Sequence, residues 1–408
     1  MQGRDSPLLS IVIATRNRKP FALSAIQAVL EISDPRLELV VQDNSDSSEL
    51  DSVISEQVHD SRLRYRHTSG RLSMVDNFNL AMELATGEYV CLIGDDDGVN
   101  PEIVEAAAWA KSEDLDSLSV RPSAFYLWPG TGLSSTVFTT VVGGSLSVGP
   151  FSGGLAIGEP EKELLALLRN GGLYYLDFKL PKAYHGLARR QCLEDIRQRG
   201  GSYFGGLSPD IFTSVALACV CRRVASIEYP LTIPGHCSVA EKTHHVKDAH
   251  LRPFAEAPHF YGRGDYQWCP LVPQVFIGEA FWVDSAIAAL RAMGREELVK
   301  ELNLPKLAAH CLGAYRGVAR PVLSCMLRGL RSTGKNRLLG VFAMFWGLCS
   351  GPGHRLVHRG WNRALIMLGI RQIHAIRELA TIRECSRSLT GYLQMKGLSF
   401  SEAIRRKA

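Results

Sequence analysis

No window of 18 or more uncharged residues in this chain is apolar enough to span a bilayer. The first residues, MQGRDSPLLS, also lack the apolar core of a signal peptide. Together these absences predict synthesis and residence in the cytosol. The ten cysteines form no C-x-x-C pair, the nearest two being Cys219 and Cys221. That pattern argues against a zinc ribbon or a disulfide framework, and reduced, mostly buried thiols are expected. Internal repeats are absent as well. Residues 122–158 carry no charge and include eight glycines. So much Gly, Ser, Thr and Pro excludes a membrane span and predicts irregular β structure or a mobile flap around the strand-like TVFTTVV.

What is present is an ordinary globular composition: 408 residues, 46% hydrophobic and 21% charged, enough for two or three domains. The net charge of +5 conceals an asymmetry. Residues 1–300 hold 28 Lys/Arg against 37 Asp/Glu, whereas residues 301–408 hold 18 against 4. A basic end of that kind suits an anionic partner, either a lipid surface or an acidic substrate. Nucleic acid ranks lower because no recognised nucleic-acid fold accompanies the charge. The run LLGVFAMFWGL at 338–348 is too short to span, but Phe342, Phe345 and Trp346, flanked by Arg337 and Arg355, could lie in a membrane interface. Ile366, Ile370 and Ile373 form a helical stripe with Arg377 at its edge. An ordinary helical packing region is the alternative.

The first 120 residues alternate strand and helix signals. SIVIA at 10–14 and LELVV at 37–41 are short, apolar and β-branched, and between them Leu23, Ile26 and Leu30 fall at helical spacing. A charged, edge-like strand follows at 62–67. Val75, Phe78, Met82 and Ala85 then mark a helix closed by Gly87, and the apolar Tyr89–Ile93 run reads as a buried strand. Asn100-Pro101 opens a further helix over 101–111. Such alternation predicts an α/β fold with a mixed, mostly parallel sheet flanked by helices, in which ligands bind at the carboxyl ends of the strands. Asp43 and the triplet Asp95-Asp96-Asp97 both fall at such ends.

Three adjacent carboxylates need relief: at about 6 Å and an effective dielectric of ~20, each pair repels by roughly 2 to 3 kcal/mol. A divalent cation of the Mg²⁺ or Mn²⁺ type is one answer, because these ions are held by one or two carboxylates plus substrate phosphates. An Asp-rich turn capping the next helix is another. The segment GLRSTGKN at 329–336 nearly spells a phosphate-binding loop, but it ends in Asn336 and follows no strand, so it is discounted.

The segments SIVIATRNRKPFALSAIQAVL, LELVVQDNSD and GRLSMVDNFNLAMELATGEYVCLIGDDDGVNP, in that order and spacing, resemble the nucleotide-binding half of family 2 glycosyltransferases with the Rossmann-like GT-A fold. The likeness covers residues 9 to about 110 and continues weakly to about 240. It implies a GT-A domain over 1–265, with its nucleotide-binding half at about 9–120 and its acceptor half at about 121–265. A basic α-helical C-terminal region would follow over 266–408.

The resemblance also implies roles. Thr15 and Asp43 match positions that contact the nucleoside, Arg16 and Arg18 lie near the diphosphate, and Arg71 and Asn77 fall in the donor-side segment. Asp95 is assigned toward ribose, Asp96 to the metal, and Asp97 to a second metal or water-mediated contact. Gly94 stands where many members carry the first Asp of a D-x-D-D motif. Asp210, in Ser208-Pro209-Asp210, matches the catalytic base, although the same three residues also read as a helix start. His236, His244 and His245 lie in a loop that supplies a late metal or diphosphate ligand in some members, and His244 is the candidate. Without the resemblance they read more readily as solvated loop histidines.

The function so implied is a metal-dependent inverting glycosyltransferase acting in surface polysaccharide or glycolipid synthesis. Its donor would be a nucleotide-diphosphate sugar, a UDP-sugar first, and its acceptor a carbohydrate or lipid-linked hydroxyl at the cytosolic membrane face. The rivals are a nucleotidyltransferase or phosphatase using the Asp cluster, and a non-catalytic nucleotide-sugar-binding or membrane-scaffold protein.

Overall fold

The computed structural model describes residues 6–132, 142–238, 254, 257–314, 318–349 and 373–405. His244, His245, Ile366, Ile370 and most of TVFTTVV lie outside them. Four parallel strands open the chain: β1 (Leu9–Thr15), β2 (Leu37–Asp43), β3 (Leu63–His67) and β4 (Tyr89–Ile93). Their β-branched residues are buried on both faces in β1, β2 and β4, as a parallel sheet covered by helices on two sides requires. The charged β3 stands at the sheet's edge, where a strand with only one neighbour tolerates Arg64 and Arg66.

Further strands follow as β5 (Gly98–Val99), β6 (Ser117–Val120), β7 (Ala124–Leu127), β8 (Ser145–Val148), β9 (Leu155–Gly158), β10 (Gly186–Arg189), β11 (Val224–Ile227), β12 (Thr232–Ile233), β13 (Gly235–His236) and β14 (His374–Ile376). The main sheet runs β3-β2-β1-β4-β10-β6-β11-β9, and β10 and β9 are its antiparallel insertions. The fold is thus the mixed, mostly parallel α/β sheet that the alternation predicts. The charge-free segment contributes β7 and β8 to a second sheet ordered β13-β7-β8-β14.

Register places the functional edge. Thr15 pairs with Asp43 and Asp43 with His67, while Ile13 pairs with Ile93, so the residues after Ile93 emerge beside Thr15. The turn carrying the Asp triplet runs from β4 into β5, which is held antiparallel to β12. Helix Met74–Leu84 is anchored by Ser73, which accepts from the Asp76 N–H and donates to the Asp76 carboxylate.

One apolar core under the sheet is built from helices Pro160–Arg169, Arg190–Gly200, Pro209–Val220 and Gly278–Ala292, and it takes in Leu304, Leu307, Val322, Leu330 and Met344. The other face carries helices Lys19–Leu30 and Ile103–Ser112 together with Ile382, Leu389, Leu393 and Phe400. The C-terminal region therefore supplies side chains to both cores rather than standing apart. Arg383 and Arg387 ion-pair with Glu31, which fastens helix Ile382–Met395 to the N-terminal half.

Candidate active site

Asp95, Asp96 and Asp97 are all buried, and each relieves its charge differently. Thr15 Oγ1 donates to Asp95 at 2.6 Å, and the other Asp95 oxygen lies 2.6 Å from Arg18 Nη1. Arg18 Nη2 reaches Asp96 at 3.1 Å, so one guanidinium bridges two adjacent carboxylates. Cys237 joins this cluster: Arg18 Nη2 donates to its sulfur, and its thiol hydrogen-bonds to Asp96.

Asp97 has a different environment. The Gly94 N–H (2.6 Å), Tyr184 hydroxyl (3.0 Å) and His185 Nε2 (3.1 Å) converge on one oxygen, and the Gly235 N–H (2.6 Å) on the other. Burial pushes the Asp97 carboxyl up, but His185 and the two backbone N–H groups prevail and hold it well below the usual carboxylate range. Asp95 moves the other way. Its burial outweighs the pull of Arg18 and raises it to about 7, and Asp96 is raised by burial and by the neighbouring Asp97 charge. Burial acts against the Arg18 charge too, yet Asp95 and Asp96 push its pKa up and keep it cationic.

Two glycines make this packing possible. A Cβ at Gly235 would meet the Asp96 carbonyl oxygen at 1.8 Å, and one at Gly94 would meet Asp97 Oδ2 at 2.9 Å and Tyr184 Oη at 3.1 Å. Position 94 therefore has no room for the Asp of a D-x-D-D motif in this arrangement. Tyr184 and His185 reach the site because Leu92 at the end of β4 bonds to the backbone of Ala183 and His185. His185 adopts φ of 51°, an unusual backbone for a buried non-glycine residue and the kind of strain that clusters at functional sites.

Asp43 is fully buried. One of its oxygens accepts from the Ser45 N–H and hydroxyl, and the other from the Tyr65 hydroxyl at 2.8 Å. With about two lone pairs per oxygen, one acceptor site remains, on Oδ2. Arg16 holds Asn44 and the exposed Asp46, and Arg71 stacks over the Tyr261 ring. Asn77 does not face solvent. Its amide donates to the Thr15 carbonyl at 3.1 Å, while its own Oδ1 is buried without a partner.

Asp210 sits in the first turn of helix Pro209–Val220. Ser208 makes no side-chain cap bond there and instead donates to Asp210 Oδ1 at 2.6 Å, while the Tyr175 hydroxyl donates to Oδ2. The Asp210 charge acts on Tyr184, the residue that donates to Asp97, and on Lys182 and His259. Asp210 and the triplet thus belong to one electrostatic neighbourhood. Lys182 is pushed down to about 8 by burial, and His259, stacked on Phe281, to about 4 for the same reason.

Sequence reasoning singled out the triplet, Arg18 and Asp210 but not Tyr184, His185, Tyr175 or the Gly235 N–H. The only local signal for the first pair was an aromatic next to a histidine just before a glycine, in KAYHG. His236 lies on β13 and is half-buried.

Among the described residues no group of three or more His, Cys, Asp or Glu is arranged to hold a metal ion. The donor set nevertheless fits an ion bound mainly by substrate phosphates, which asks for only one or two protein carboxylates. Asp95 and Asp96 share a single guanidinium, leaving the pair short of positive charge. Asp97 fits least well, since its two oxygens already take four donors, against two at Asp95.

The buried carboxylates stand at the carboxyl ends of parallel strands, where open α/β sheets bind their ligands. Residues 10–126 match the model described as Glycosyl transferase family 2, and the Asp triplet lies within the matched region. Over 100 residues the chain is 32% identical to the "Putative colanic acid biosynthesis glycosyl transferase WcaA" of Escherichia coli (strain K12), covering 24% of this chain and 36% of that one. Over 101 residues it is 28% identical to "Protein CgeD" of Bacillus subtilis (strain 168), covering 23% and 24%. The chain thus spans about a quarter to a third of the length of these relatives.

Among solved structures, S. aureus TarS 1-349 in complex with UDP-GlcNAc overlaps 87% of this chain and 92% of its own, at a TM-score of 0.40 and 16% identity. The mannosyltransferase PcManGT from Pyrobaculum calidifontis, in complex with GDP-Man and Mn²⁺, overlaps 80% and 88% at 0.38 and 15%. Overlaps this loose carry no inference about the site.

Proposed function

We propose that this protein is a metal-dependent, inverting glycosyltransferase that moves a sugar from a nucleotide-diphosphate sugar, a UDP-sugar first, to an acceptor hydroxyl in surface polysaccharide or glycolipid synthesis. The observation that carries this reading is the convergence, within the family 2 region, of Thr15, Arg18, Asp95 and Asp96 into one buried cluster at the strand ends.

In this reading Thr15 and Asp43 mark the nucleoside end, the free acceptor site of Asp43 receiving a base N–H. Asp95 faces ribose, and Arg16, Arg71 and Asn77 border the donor. A bound Mn²⁺ or Mg²⁺ would be held by Asp96 with Asp95 beside it, and would supply positive charge to the departing diphosphate. Arg18 adds its own charge to the same oxygens as they become more negative. Asp97 orients the turn through its four donors. Asp210 takes the proton of the acceptor hydroxyl as that oxygen bonds to the anomeric carbon and the bond to the donor phosphate oxygen breaks. Ser208 and Tyr175 fix the direction of its carboxylate.

The test measures nucleoside diphosphate release and sugar transfer across a donor panel. Asp210→Ala is expected to lower the rate by about 10² to 10⁴, the usual worth of a positioned base, and Asp96→Ala to reduce it comparably. Turnover undiminished in both variants sinks the assignment. Pyrophosphate as the product would point to a nucleotidyltransferase, and donor binding without turnover on any acceptor to a binding protein.

A further inference from the structure

Residues 318–349 form a helical hairpin, helix Ala319–Ser332 followed by a second helix over 337–349. The second helix packs inward through Gly340, Met344 and Gly347. A Cβ at Gly340 would meet Leu330 Cδ1 at 2.3 Å, so the glycine lets the Leu330 side chain pack directly against the second helix. Its outward face is Leu338, Leu339, Phe342, Phe345 and Trp346, spaced as one helical stripe. These large side chains are exposed, Leu338 by 83% and Phe342 by 69%. Patches of that kind on a folded surface mark an interaction site.

The charge around the stripe selects the partner. Between 318 and 349 the chain has Arg320, Arg328, Arg331, Lys335 and Arg337 and no Asp or Glu, and all five basic residues are exposed. A second copy docking face to face would bring two such sets together without an acidic counterpart. The apolar run 338–348 would span only about 17 Å as a helix, short of a hydrocarbon core of about 30 Å. No helix among the described residues is long and apolar enough to cross a membrane.

We propose that this hairpin docks the protein on an anionic lipid surface. The stripe from Leu338 to Trp346 lies in the interfacial region and the flanking basic side chains contact lipid phosphates. The surface stands independently of the nucleotide site. Only its use, bringing the site to a lipid-borne acceptor, rests on the glycosyltransferase reading.

Flotation of the full chain with phosphatidylcholine vesicles, with and without phosphatidylglycerol, tests this. Wild type should float with the anionic vesicles about tenfold or more over the neutral ones, and added salt should weaken the binding. The double variant Phe342→Glu/Phe345→Glu should stay in the soluble fraction. Arg331→Glu/Arg337→Glu should lose the preference for anionic lipid. Both should still bind nucleoside diphosphate as wild type does. Equal soluble recovery of wild type with both vesicle types overturns the proposal. So does a dimer by sedimentation that Phe342→Glu/Phe345→Glu splits while vesicles are ignored. If flotation holds but no nucleotide binds, the docking surface stands and the transferase reading falls.

Discussion

The strand-end cluster and the C-terminal hairpin depart from ordinary packing in opposite senses. At the first, charges that belong in water are buried; at the second, large apolar groups that belong in a core are exposed. Each departure costs stability and implies a partner that is not part of the chain. The cluster is negative and buried, which suits a cation with a polyphosphate. The hairpin is positive and open, which suits an extended anionic surface. In the reading proposed above, the two regions bring different molecules together.

The comparison can be broken or sharpened by substitution. The largest effect is expected at Asp210, where alanine should cost about two to four orders of magnitude in transfer, and stranding the buried Tyr175 and Ser208 hydroxyls should also lower stability by about 1 to 3 kcal/mol. Next is a contrast within the triplet. Asp97→Ala strands four donors and should cost about 3 kcal/mol or more by chemical denaturation. Asp96→Ala relieves repulsion and should stay within about 1 kcal/mol of wild type. Equal losses in the two would show that the triplet acts as one unit.

A buried charge outside the triplet gives a pH-dependent signature. The Lys182 pKa is depressed by burial to about 8, so the unfolded chain binds the proton more tightly. Its cost to the fold is complete below about pH 8 and disappears as pH rises toward about 10.5. Lys182→Met should therefore be more stable than wild type at pH 7 by on the order of 2 to 3 kcal/mol, and the difference should vanish near pH 10.5. A pH-independent difference would contradict this account. The smallest effect belongs to the hairpin: Phe342→Glu/Phe345→Glu should leave stability within about 0.5 kcal/mol, because these side chains bury little.

How much of this was legible in the sequence follows from how local each signal is. SIVIA, LELVV and YVCLI announce buried parallel strands by composition alone, and the Asp positions after them follow from chain order. The division of labour within the triplet was not legible. Asp96 and Asp97 are neighbours in one turn, and what separates them is Gly235, Tyr184 and His185, roughly 90 to 140 positions away. The same holds for Arg18, whose bridge to both carboxylates needs β1 and β4 side by side. Gly94 looked like a departure from a motif, and its reason is the room that Tyr184 and Asp97 take. For the hairpin, an apolar run was visible in the sequence, but its outward face emerges only once Gly340, Met344 and Gly347 are seen to point inward. That Ile382, Leu389 and Phe400 of the basic C-terminal region complete a core begun by β1 was not legible either, because the contacts join opposite ends of the chain.

The central claim, that the strand-end cluster receives a nucleoside diphosphate together with a divalent ion, is tested most directly by calorimetric titration of UDP and GDP with and without Mn²⁺. The account predicts saturable binding of at least one nucleotide that strengthens with Mn²⁺ and is lost in Asp96→Ala. Binding that ignores both the ion and the substitution, or no binding of either nucleotide by wild type, would contradict it.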